Sequence, residues 1–232
     1  MLLAAAAFAA GCASYTQIAP QERSAIEHEL TGPEREKFLK LSYYVTPFFG
    51  DASKKLLTHL PPEEVRLLNH PNGQPVNPGP VEKVIPAGRR VRILKVEFPT
   101  SWAVTERVLY TPRTQPWVYL EVADEPRTQP FILVLRPKIS SRDEFLAEVG
   151  RFLADRDPQP LLDGFSESVR DAIRKKTAIP DMPSEALEMS WGYPEIKRID
   201  APNHRETWVY PDRKRIAYLV EGRLERTEIA GK

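Results

Sequence analysis

Residues 182–229 read MPSEALEMSWGYPEIKRIDAPNHRETWVYPDRKRIAYLVEGRLERTEI, and this stretch decides the fold. Met182-Pro183-Ser184 leads a short helix over 185–189, closed by Trp191-Gly192-Tyr193-Pro194. Gly192 suits the left-handed turn after a helix, and Pro194 prevents its continuation. Strand-like runs follow at 196–200, 206–210 and 215–220, and Glu221-Gly222 turns into a fourth at 223–229. Trp208 and Tyr210 lie two residues apart, so they share one face of their strand. Upstream, Leu162, Phe165, Val169 and Ile173 recur at helical spacing within 161–176, and Arg174-Lys175-Lys176 suits the negative end of that helix. Helix, helix, then a meander of strands predicts an α+β layer.

This module resembles the small lipoprotein of the β-barrel assembly machinery and its relatives. The matching residues are Trp191-Gly192-Tyr193-Pro194, Trp208-Val209-Tyr210 and Gly222-Arg223-Leu224. Trp191 stands where the family has leucine, and Ile179-Pro180-Asp181-Met182 lacks the glycine of the family's opening motif. The resemblance implies two helices on a small sheet and a partner in outer-membrane assembly. Trp191, Trp208 and Tyr210 read two ways. Aromatic residues dominate interface hot spots, and they equally make the core of a sheet under two helices.

Working outward, Ser140 or Ser141 caps a helix with Asp143 and Glu144 in its first turn and Phe145, Val149 and Phe152 on one face. This places helices plus the α+β module over 140–230. The segment 81–136 carries strand-like runs at 90–98, 106–110, 117–122 and 131–135, separated by proline or polar turns. That spacing predicts a small antiparallel β-barrel. Val91 and Ile93 alternate in one phase, and Leu94, Val96 and Phe98 in the other, so a bulge is expected near Ile93-Leu94. With the turn Ile85-Pro86-Ala87-Gly88 before its valine-rich strand, this stretch resembles the bacterial Src-homology-three-type barrel. The run 70–80 holds Pro71, Asn72-Gly73, Pro75, Pro78 and Gly79, a turn-rich connector. Before it, 21–70 reads as a helical N-terminal part. Ile26 and Leu30 mark a first helix, Phe38, Leu41 and Tyr44 a second, and 54–60 and 63–68 two more.

At the front, Leu2 to Ala10 is unbroken apolar sequence, followed by Ala10-Gly11-Cys12. The run is too short to span a bilayer, which takes about 20 residues. Its length fits the core of a secretory leader with small residues at the cut. This stretch resembles a bacterial lipoprotein signal, with 1–20 as signal and tether. The resemblance implies cleavage before Cys12 and fatty acylation of its sulfur, palmitate included. Ala9 replaces the usual leucine, and no Lys or Arg precedes the run, so the true start is expected upstream of Met1. The family's inner-membrane retention aspartate is absent after Cys12. This favours a lipid-anchored protein on the outer membrane, facing the periplasm.

The 33 basic and 32 acidic residues are interleaved, giving a formal charge of +1. Nucleic-acid binders need a basic excess on one face, so no nucleic-acid partner is expected. One cysteine allows no intramolecular disulfide. His28, His59, His70 and His204 are scattered and read as surface or loop residues, so neither a metal nor a cofactor is expected. Gly164-Phe165-Ser166 lacks the second glycine of a nucleophile elbow. The expectation is an α+β envelope lipoprotein that binds or scaffolds without catalysis, with outer-membrane assembly as its candidate setting. Peptidoglycan binding through the middle barrel is the alternative, and an envelope hydrolase the third reading.

Overall fold

A computed structural model describes residues 15–32 and 35–230. The lipidation reading of Cys12 lies outside the described residues. In chain order the elements are α1 (Pro20–Leu30), β1 (Glu36–Leu39), β2 (Tyr43–Phe48), β3 (Asp51–Thr58), β4 (Lys83–Ile85), β5 (Arg90–Glu97) and α2 (Ser101–Glu106). Next come β6 (Trp117–Val122), β7 (Phe131–Val134), α3 (Arg142–Phe152), β8 (Leu153–Ala154), α4 (Gln159–Asp163), α5 (Glu167–Lys175) and α6 (Ser184–Trp191). The strands β9 (Ile196–Asp200), β10 (Arg205–Val209), β11 (Arg215–Val220) and β12 (Arg223–Ile229) complete the chain.

The architecture is mixed α+β with two sheets. The first has eight strands in the order β4-β2-β3-β7-β6-β5-β1-β8. All its pairings are antiparallel except β3 with β7, which run parallel in the register Lys55↔Phe131. It is open, ending at β4 and β8, so the closed barrel expected over 81–136 does not form. The reason is that β2 and β3 insert between β4 and β7, and β1 caps β5. The expected bulge is present: the β5–β6 register shifts between Ile93 and Lys95. It turns Leu94 outward and brings Val91, Ile93, Val96 and Phe98 into one core.

Where helices are predicted at 34–44 and 54–60, the described residues form β1, β2 and β3, and the helix predicted at 63–68 is reduced to the short turn Pro62–Glu64. Phe38, Leu41 and Tyr44 fit a helical period, but the fully covered apolar residues over 38–45 are Leu39, Leu41, Tyr43 and Val45, a period of two. In β3, Leu56 and Leu57 face opposite sides of the sheet and are both buried. A strand covered on both faces loses alternation and looks like any apolar run. Residues 106–110, expected as a strand, have no strand partner; α2 ends there and an irregular excursion follows. The single helix expected over 161–176 breaks at Gly164, and Ser166 Oγ accepts from Val169 N–H to start α5.

One face of the large sheet holds the main core. There Ile26 and Leu30 of α1 and Phe145, Val149 and Phe152 of α3 cover the inward side chains of β1–β3 and β5–β7. The small sheet is the expected meander, β12-β11-β10-β9, under α5 and α6.

Candidate functional site

The three aromatic residues offered as a recognition surface are core. Trp191 is 5 % exposed, Trp208 1 % and Tyr210 0 %. Trp191 and Tyr210 meet edge to face at 5.5 Å, and the Tyr210 hydroxyl donates to the Gly192 carbonyl at 3.2 Å. Helices α5 and α6 cover this face, so no partner reaches it.

The chemistry-bearing side chains collect instead at the junction of the two sheets. Glu64, in the short turn Pro62–Glu64, receives Arg215 of β11 in a two-pronged pair at 2.6 and 2.8 Å, both partners buried. The same guanidinium lies 4.2 Å from the Tyr210 ring centre and 4.7 Å from that of Trp191. Lys176 takes a left-handed backbone at the end of α5, φ 54°. This turns its ammonium inward, where it donates to the carbonyls of Ser42 at 2.7 Å and Ser190 at 2.5 Å. Burial first, then the nearby Arg215, holds its pKa well below the lysine range. Ser42 Oγ donates to the Ile173 carbonyl and accepts from Ala87 N–H. These groups spend their hydrogen bonds on holding the layers together.

His59, expected as a surface residue, belongs to this junction. It follows β3 and stacks near Phe152 at 5.5 Å and Tyr193 at 6.4 Å. Its ring fills the space over Gly192, where a Cβ would sit 2.4 Å from the ring carbon Cδ2 and where φ is +82°. Burial, with Lys176, Arg151 and Arg215 adding like charge, pushes its pKa down to about 3. A histidine kept neutral in the fold binds fewer protons than in the unfolded chain. Its contribution therefore favours unfolding as pH falls below the ordinary 6.5 toward about 3. Stability should drop by up to about 1.4 kcal/mol per pH unit in that window. Denaturant midpoints from pH 7 to pH 4 test this, because His59→Gln should flatten the slope; an unchanged slope counts against it.

Two features stand at the surface. A groove of about 640 Å³ lies between the sheet edge and α4–α5, with Arg89, Arg90, Arg170 and Arg174 on its walls. Arg89 pairs with Asp124 at 2.8 Å and Arg90 with Glu36 at 3.2 Å, so the groove carries no strong field of one sign. The second is the excursion between β5 and β6. Thr100 caps α2, and Arg107 staples the loop down through Glu97 at 2.7 Å and the carbonyls of Arg113 and Gln115. The loop leaves Trp102 74 %, Leu109 64 % and Tyr110 65 % exposed. Sequence reading missed Trp102 because its exposure follows from how Arg107 pins the loop, which no local pattern shows. Among the described residues no group of three or more His, Cys, Asp or Glu converges as a metal site. No described helix is long and apolar enough to cross a membrane. Compared with family models, curated proteins and solved structures, the chain matches none.

Proposed function

We propose that this protein is a fatty-acylated component of the outer membrane that faces the periplasm and works by binding neighbours in the cell envelope, not by catalysis. The observation that carries this reading is the apolar run Leu2 to Ala10 ending in Ala10-Gly11-Cys12, with the chain's one cysteine at the cut. Two or more acyl chains hold a protein on a bilayer where one alone is marginal. The junction supports the non-catalytic part, because its lysine, serine and glutamate side chains are committed to carbonyls and to one another.

Feeding cells labelled palmitate tests the anchor. Label should appear in the wild-type chain in the outer-membrane fraction and be lost in Cys12→Ser. An unlabelled wild-type chain in the soluble periplasmic fraction would falsify it. Cross-linking in intact cells then reads the role: capture of an outer-membrane assembly component supports it, and capture of peptidoglycan alone redirects it.

A further inference from the structure

We infer that the Trp102 face of the β5–β6 excursion lies in the interfacial layer of a lipid bilayer and fixes how the folded part sits on it. The inference rests on the anchoring reading for which membrane is met. The face itself stands on the structure.

Tyr15 is held to the excursion by its backbone N–H, which donates to the Pro99 carbonyl at 3.2 Å. Pro99 lies three residues before Trp102. Only Ala13 and Ser14 separate Tyr15 from Cys12. Three Cα steps reach about 11 Å at full extension. Acyl chains on Cys12 therefore hold this corner of the molecule against the headgroups, and it is the corner where Tyr15 and Trp102 are exposed. Tryptophan and tyrosine prefer that layer because one end is apolar and the other can hydrogen-bond.

The cleft beside Trp102, between α1 and α2, is lined by Arg23 and Lys95 on one hand and by Glu27, Glu97 and Glu106 on the other. The three acids outnumber the two bases, so apolar insertion and not attraction to anionic lipid holds this face.

The test uses the full chain on phosphatidylcholine vesicles with brominated acyl chains. Trp117, Trp191 and Trp208 are buried in the fold, so bromine quenching of tryptophan emission reports Trp102. Quenching is expected in the acylated wild type and should vanish in Trp102→Ser, with melting temperature unchanged. The unacylated Cys12→Ser chain should still bind, and adding Trp102→Ser should weaken that binding about tenfold. Vesicle-bound, acylated protein with unquenched Trp102 overturns the inference and leaves the anchor intact. A wild-type chain that carries no fatty acid yet shows Trp102 quenching upholds the face and removes the anchor. A blue shift that grows with protein concentration without vesicles means a second copy covers Trp102, and the inference falls.

Discussion

Trp208→Ala should lower the melting temperature by about 10 °C, because truncating a fully covered tryptophan costs about 3–5 kcal/mol. The ring belongs to the cluster formed by α5, α6 and the small sheet, with Leu187, Met182 and Leu219 among its members. Its indole N–H donates to Glu206 at 2.8 Å, and Lys197 Nζ lies 4.1 Å from the ring centre. The outward edge is thus satisfied while the body fills the core. A neighbouring side chain cannot replace that volume without leaving its own rotamer. Thermal unfolding followed by circular dichroism measures the effect. A shift under about 2 °C would mean the residue is a surface contact after all.

Arg215→Met is the second large effect. It strands the Glu64 carboxylate in a dry junction, a loss of about 3–5 kcal/mol. The pair does not stand alone. Lys214 Nζ donates to the Glu63 carbonyl at 2.6 Å, and Arg66 pairs with Asp212. The turn before β11 is therefore clamped on the 62–66 turn from three sides, and the pair is its dry centre. The double variant Glu64→Leu, Arg215→Met should recover most of the loss, since two apolar groups replace a buried pair at little net cost. Denaturant unfolding of wild type, both single variants and the double variant gives the coupling directly. Additive single effects would show that the two side chains act separately.

Residues 184–229 were readable because their punctuation is local. Gly192 and Pro194 end α6, Glu221-Gly222 makes the hairpin, and each strand pairs with its neighbour in sequence. The bulge in β5 was readable for the same reason, since a phase slip is visible inside one strand. The N-terminal strands were not. β1 pairs with β5 and β8, and β3 with β7, so what decides strand over helix lies far along the chain. Phe38, Leu41 and Tyr44 fit a helical period while Leu39, Leu41, Tyr43 and Val45 fit a period of two, and only the distant partners choose between them. Lys176 sits in a basic run at a helix end, which ordinarily means solvent. Its burial depends on carbonyls supplied by Ser42 and Ser190, and no local pattern announces them. Trp102 was invisible for the converse reason, because exposure is set by how Arg107 pins the loop.

The one parallel seam in the large sheet sets an order of events. Lys55 and Leu56 meet Phe131 and Ile132 only after the whole intervening chain is present. While the polypeptide is still threading out of a ribosome, Leu56 and Leu57 have greasy sides turned both ways and nothing to cover them. Long-range pairings of this kind are slow to close and leave sticky surface on view meanwhile. Leu56 and Leu57 gain their cover on both faces only when the seventh strand arrives.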